Sequence, residues 1–208
     1  MNTRVKICGI TSVADGQAAA EAGADLIGLM FYEPSPRYVS LDAAAGIARA
    51  LPPEVQRVGV FVNPTTELVR RAIGECQLSL LQFHGDEPPD FCTQFGLMSL
   101  KAFRIRDAAS LDALPNYETD GYLLDAYSPE ARGGTGEKFN WDLAVEAQKF
   151  GKPIFLAGGL TPANVAAAVK QVQPFAVDVS SGVESAPGKK DHAKVKAFIK
   201  AVRQADEL

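Results

Sequence analysis

The 208-residue chain has little of what several large function classes require. It holds three cysteines, Cys8, Cys76 and Cys92, with no CxxC or other paired spacing. That offers neither a disulfide framework nor a thiolate zinc site, and it points to a reducing, cytoplasmic compartment. The two histidines, His84 and His192, are far apart, and no His, Cys and Glu residues cluster at ligand spacing, so no metal is expected. No apolar run approaches the roughly 18 residues a membrane-spanning helix needs. The first residues lead straight into a strand pattern with no signal peptide. The formal net charge is −4, so neither nucleic acid nor an anionic membrane is an expected partner. An anionic small substrate would instead need a local positive site. Low-complexity tracts and linkers are missing too, and residues 1–208 suit a single domain with a sizeable core.

What the chain does have is alternation. Short apolar runs at 4–8, 26–31, 57–62, 79–83, 99–103, 121–124, 153–156 and 175–179 read as strands. Several are apolar almost throughout, as in Leu26-Ile27-Gly28-Leu29-Met30-Phe31, which suits a parallel sheet covered on both faces. Helix-like segments lie between them: one opened by Ser12 or Asp15 and stopped at Gly23, then 41–51, 65–76, 88–95, 108–114, 140–150, 162–172 and 191–205. Eight such units favour an α/β fold of eight parallel strands ringed by helices, the (β/α)8 or TIM barrel. Periodicity alone also permits an open doubly wound sheet. The longest non-periodic stretch, 127–138, centres on Arg132-Gly133-Gly134-Thr135-Gly136 and reads as a substrate lid or a plain mobile loop.

Chemistry in such a barrel sits at the C-terminal ends of the strands. Cys8 ends the first strand, where alternation puts it on the inward face with Arg4 and Lys6. It is a candidate general base, although a lone cysteine is as often a small buried hydrophobe. A thiol base needs a lowered pKa, and Lys6, about 7 Å along the strand, would favour the thiolate. Asp125 closes the sixth strand as a candidate general acid, with a turn cap as the plainer reading. Half-burial against apolar walls would raise its carboxyl pKa. Asp178, ending the eighth strand, competes for that role.

Gly158-Gly159 and Ser180-Ser181-Gly182 follow the seventh and eighth strands, where this architecture usually holds a phosphate. Glycines would let backbone N–H groups approach an anion, and a short helix beginning at Ser181-Gly182 would add its dipole. Both could equally be tight turns. Arg37, in the second rim loop, could fork onto a carboxylate or be solvated. Gln82 and His84 share a face at the end of the fourth strand, and His84 suits either acid–base work or pocket lining. His192 reads as surface, Cys76 and Cys92 as packing, and Trp141 as structural.

Seven stretches carry a resemblance in order: Lys6-Ile7-Cys8-Gly9-Ile10-Thr11, Ser35-Pro36-Arg37, Gln82-Phe83-His84-Gly85, Leu124-Asp125, Gly133-Gly134-Thr135-Gly136, Ala157-Gly158-Gly159-Leu160 and Asp178-Val179-Ser180-Ser181-Gly182-Val183-Glu184. Over nearly its whole length the chain resembles the phosphoribosylanthranilate isomerase family of tryptophan biosynthesis. The resemblance implies an Amadori rearrangement of phosphoribosylanthranilate, with Cys8 as base and Asp125 as acid. It implies that Arg37 holds the anthranilate carboxylate and that Gly158, Gly159, Ser180, Ser181 and Gly182 hold the phosphate. Asp178, Gln82 and His84 would contact the ribose or the anthranilate. No metal or organic cofactor is implied, and members are monomers or homodimers. Three rivals stand beside this reading. A metal-dependent epimerase would need inward ligands at several strand ends, where only His84 is available. A bifunctional isomerase of the histidine-pathway aminoaldose would want a second phosphate turn in the first half. A non-catalytic phosphosugar-binding barrel would not need Cys8 and Asp125 together.

Overall fold

A computed structural model describes residues 2–126 and 141–207. Strands β1 (Arg4–Cys8), β2 (Leu26–Met30), β3 (Gln56–Phe61), β4 (Leu80–Phe83), β5 (Met98–Ile105), β6 (Gly121–Ala126), β7 (Ile154–Ala157) and β8 (Ala176–Val179) follow one another around a closed barrel. All the pairings are parallel, including β8 on β1, where Asp178 lies opposite Lys6. The (β/α)8 expectation holds, and the open sheet is ruled out by that closure.

Strand alternation sorts the apolar residues into two layers. Leu26, Val58, Val60, Leu80, Leu100, Leu123 and Phe155 fill the barrel. Val5, Ile7, Ile27, Leu29, Leu81, Phe83, Leu124 and Val177 face outward against the helices. Because both faces are covered, the strands read as continuous apolar runs.

Outside lie α1 (Val13–Glu21), α2 (Leu41–Ala50), α3 (Thr66–Cys76), α4 (Pro89–Thr93), α5 (Trp141–Ala147), α6 (Val165–Val172) and α7 (His192–Asp206). Ser12, Ser40, Thr65 and Asp191 cap four of them, each side chain accepting from a first-turn N–H. Asp15, the alternative start for α1, instead accepts from His192 Nε2 at 2.8 Å and from the Lys190 backbone N–H at 3.1 Å. His192, read as surface, is thus half exposed but paired. Cys76 and Cys92 are buried packing residues, and burial raises their thiol pKa values to about 11 and about 12. Trp141 packs partly buried against the core.

Three expected helices differ. The 108–114 segment forms two 3-10 turns, Ala108–Leu111 and Leu114–Asn116, instead of an α-helix. Asp107 and Ser110 close a reciprocal capping box there, and Pro115 has no N–H to donate. The fourth helix is only Pro89–Thr93. The sixth α-helix begins at Val165, not at Pro162, because Asn164 Oδ1 accepts from Thr161 N–H (2.8 Å) and its Nδ2 donates to the Gly159 carbonyl (3.0 Å). An antiparallel pair not expected from the sequence, β9 (Glu184–Ala186) with β10 (Lys189–Lys190), follows β8. The expected lid at 127–138 lies outside the described residues.

Arg57 ties the outer layer to the barrel. It projects outward from β3, and its guanidinium donates to the carbonyls of Ala48, Leu51, Pro53 and Val55, at 2.6 to 3.4 Å. Ala48 lies in the last turn of α2 and Leu51 is its C-cap, while Pro53 and Val55 belong to the loop that leads into β3. Arg57→Met is expected to cost about 3 kcal/mol of stability, seen as a lower urea midpoint, because several buried carbonyls lose a charged donor. Turnover per folded molecule should be unchanged.

Candidate active site

At the C-terminal ends of the strands a cavity of about 320 Å³ opens. Its wall takes in Cys8 from β1, Gln82 and His84 at the end of β4, Asp125 from β6 and Asp178 from β8. The turns after β7 and β8 contribute Gly158, Gly159, Ser180, Ser181 and Gly182, and the loop after β2 contributes Arg37. Every site residue singled out from the sequence therefore lines this one cavity. A larger hollow of about 880 Å³, lined by Arg4, Lys152 and Phe175, lies at the opposite end of the strands. It is remote from these groups, and in this architecture chemistry belongs to the other face.

Lys6 and Asp178 form the floor. Lys6 Nζ donates to Asp178 Oδ1 at 3.0 Å, with side-chain exposures of 0% and 8%. Burial works against the Lys6 ammonium, but its acidic neighbours, the Asp178 carboxylate foremost, outweigh it and raise its pKa. Lys6 favours the Cys8 thiolate, as expected, but does not decide its pKa. Burial of Cys8, only 7% exposed, is the largest influence and raises its thiol pKa. Lys6 and Lys190 pull the other way without overcoming it, and Asp178 adds to the rise. The pull of the Lys6 ammonium is further weakened because it shares its field with the Asp178 carboxylate across β1–β8.

Opposite, a polar chain runs along β4 to β6. The Gln82 amide nitrogen donates to His84 Nδ1 at 3.0 Å, which leaves the ring proton on Nε2, 3.2 Å from Asp125 Oδ2. The side chains of His84 and Asp125 are 22% and 33% exposed, open enough for a ligand to reach either. Gln82 Oε1 is buried and has no hydrogen-bond partner among the described residues. The loop bearing His84 is braced by Glu87, which accepts from the N–H groups of Asn63 and Gly85 and pairs with Lys101 at 2.7 Å.

The two anion-type turns lock together. Gly182 lies directly against the Leu160 carbonyl, and any Cβ at position 182 would overlap that oxygen. Ser181–Val183 is a single 3-10 turn, so the short helix dipole expected there is replaced by backbone N–H groups alone. Arg37 forks onto Glu184, Nε to Oε1 at 2.8 Å and Nη2 to Oε2 at 2.7 Å. Glu184 is also held by Lys190 Nζ at 2.8 Å.

Two contributors escaped the sequence reading. Gly28 on β2 lies beside Cys8, where a Cβ would stand 2.8 Å from the sulfur. Lys190 is buried beneath the rim, and the one sequence signal near it is the Pro187-Gly188 turn dipeptide.

Fold and site together define a (β/α)8 barrel with ionisable side chains and glycine-rich turns around one cavity. The profile of the family described as N-(5'phosphoribosyl)anthranilate (PRA) isomerase matches residues 5–201. N-(5'-phosphoribosyl)anthranilate isomerase of Geobacter metallireducens is 54% identical over 200 residues, covering 96% of this chain and 98% of that protein. The crystal structure of phosphoribosyl anthranilate isomerase from Thermotoga maritima superposes with a TM-score of 0.91 at 43% identity, covering 97% of this chain and 99% of that one. A phosphoribosyl anthranilate isomerase in complex with reduced 1-(o-carboxyphenylamino)-1-deoxyribulose 5-phosphate gives a TM-score of 0.88 at 40% identity, with coverage of 97% and 99%. The chain belongs to the phosphoribosylanthranilate isomerase family.

Gly182→Ala should displace one anion turn against the other. Steady-state isomerase efficiency is expected to fall roughly 10²-fold, as misplacement by about an ångström typically does. Wild-type kcat/KM in that variant would remove the interlock from the account.

Proposed function

We propose that this chain isomerises N-(5'-phosphoribosyl)anthranilate to 1-(2-carboxyphenylamino)-1-deoxyribulose 5-phosphate, a step of tryptophan biosynthesis. The observation that carries the reading is Cys8 and Asp125 on the wall of one cavity that also holds both anion turns. The phosphate sits on the N–H groups of the Gly158-Gly159 and Ser180–Gly182 turns. Asp125 protonates the furanose ring oxygen, the C1–O bond breaks, and the anilino nitrogen's lone pair forms a protonated Schiff base at C1. That cation acidifies the C2 proton, which Cys8 removes. The C2–H electron pair moves toward nitrogen to give an enolamine. Proton return to C1 and loss of the O2 proton then yield the ketone. The iminium is the electron sink, so the residues need supply only proton transfer.

The same cation answers the raised thiol pKa. A positive charge at C1, beside Cys8, favours the thiolate at the step that needs it. His84 holds Asp125 toward the ring oxygen, and the unpartnered Gln82 Oε1 is the acceptor for a ribose hydroxyl. Arg37 receives the anthranilate carboxylate, while Asp178 fixes Lys6 beneath the ribose. The setting is the cytoplasm, which three free, unpaired cysteines support. Among the described residues no helix is long and apolar enough to cross a membrane. The working unit is a monomer or a homodimer.

Each acid–base group typically contributes about 10² to 10⁴ in rate. Cys8→Ser and Asp125→Asn should each lose that much kcat while still binding a product analogue, measured by loss of substrate fluorescence and by calorimetry. Near-wild-type turnover in either variant would falsify its role. The pH profile has a defined sign. A base acts when deprotonated, and burial raises the Cys8 pKa, so in Asp125→Asn, where no acid titrates against the base, the residual kcat/KM should climb with pH from neutrality into the alkaline range. A flat profile from neutrality upward in that variant would mean that Cys8 is ionised in the free enzyme.

A further inference from the structure

Arg37, Glu184 and Lys190 form a charged trio at the rim, built from the loop after β2 and the β9–β10 pair. Glu184 and Lys190 face each other across that pair. Arg37 occupies both carboxylate oxygens, and Lys190 Nζ shares Oε1 at 2.8 Å. Lys190 also reaches the Ser180 carbonyl at 3.3 Å and its hydroxyl at 3.4 Å. Side-chain exposure grades sharply: 23% for Arg37, 5% for Glu184 and 0% for Lys190. Only Arg37 of the three lines the cavity.

An arginine forked onto a glutamate is an electroneutral pair. A ligand carboxylate approaching it meets attraction from the guanidinium and repulsion from the carboxylate just behind. The second cation changes that balance, because two positive charges against one negative leave the trio net positive. Lys190 has no exposed surface of its own, so it acts on a ligand only through the trio's field. The fork also fixes orientation. With Nε and Nη2 directed at Glu184, the remaining parallel edge of the guanidinium, Nη1 with the second Nη2 proton, is the one left for a ligand. Gly9 lets Arg37 lie close, since a Cβ there would stand 2.5 Å from Arg37 Cδ. The surrounding charges act in the expected directions. Burial works against the Glu184 carboxylate, yet the hydrogen bonds of Arg37 and Lys190 hold its pKa below the usual range. Burial lowers the Lys190 pKa more than Glu184 restores it.

We propose that Glu184 and Lys190 are positioning residues for an aryl-carboxylate subsite: Glu184 orients the Arg37 guanidinium, and the buried Lys190 ammonium offsets the Glu184 charge so that the trio faces the ligand with net positive charge. This rests on the reading of Arg37 given above. Neither residue touches the reacting atoms.

Calorimetry with two probes tests it: reduced 1-(o-carboxyphenylamino)-1-deoxyribulose 5-phosphate and its counterpart lacking the ring carboxylate. Lys190→Met should weaken the carboxylated probe at least about fivefold more than the other: both carry the phosphate held on the turn that Lys190 touches at Ser180, but only the first presents a carboxylate to the trio. Arg37→Met should discriminate in the same way. The double variant Glu184→Gln with Lys190→Met removes one charge of each sign and leaves Arg37 alone. Because the glutamine keeps one oxygen of the fork, the double variant should bind the carboxylated probe more tightly than Lys190→Met alone but more weakly than wild type, which loss of mere packing would not do. If Arg37→Met discriminates while Lys190→Met weakens both probes equally, or neither, the proposal is overturned and the Arg37 reading stands. If Arg37→Met does not discriminate, that reading falls and the proposal falls with it. Should Lys190→Met fail to fold, the double variant decides: a loss of less than about tenfold from wild type supports the charge balance, and a greater loss overturns it.

Discussion

The pairing of Lys6 with Asp178 is the contact on which the rest of this molecule depends. The two residues lie 172 positions apart and meet at 3.0 Å inside the barrel. They meet because β8 closes on β1 in a register that sets Lys6 opposite Asp178. A buried ammonium without a partner would cost several kcal/mol, and so would a buried carboxylate. The pair is therefore tolerated only in the closed barrel, in that register. The same closure brings the turn after β8 to the sulfur at the end of β1, which makes a cavity out of two ends of the chain.

Charge in and around the cavity is arranged in small groups. Lys6 is answered by Asp178, Lys101 by Glu87, and Glu184 by both Arg37 and Lys190. In the first two the charges cancel, and the side chains serve as braces for the floor and for the loop that carries His84. The third is left with an uncancelled positive charge, on the face where an acidic ligand would enter. Cys8 sits among these groups with its thiol pKa raised, because burial outweighs the lysines near it.

Much of the architecture was legible because it rests on local physics. Ser12, one of two starts read for the first helix, caps it in the structure, since a short polar side chain satisfies a first-turn N–H group. The strands were legible as apolar runs because a barrel wrapped in helices leaves them no wet face. The misreadings have local causes of a subtler kind. At 108–114 the periodicity was helical, but Asp107 and Ser110 satisfied each other and Pro115 withheld a donor. At 162–164 the Asn164 side chain took the hydrogen bonds that a helix start would have used.

The sequence by itself determined the order of the elements, the inward face of β1, and which residues stand at strand ends. All of these follow from the period of alternation and from the chemistry of caps and turns. It also singled out Cys8, Asp125, Arg37 and the two anion turns, which now line one cavity. Only the tertiary structure decided who neutralises whom. Lys6 pairs with Asp178 as well as lying beside Cys8, Arg37 lies on Glu184, and Lys190 is drawn under the rim behind them. Electrostatic interaction depends on distance and burial, and neither can be read from spacing along a chain when partners stand more than a hundred residues apart.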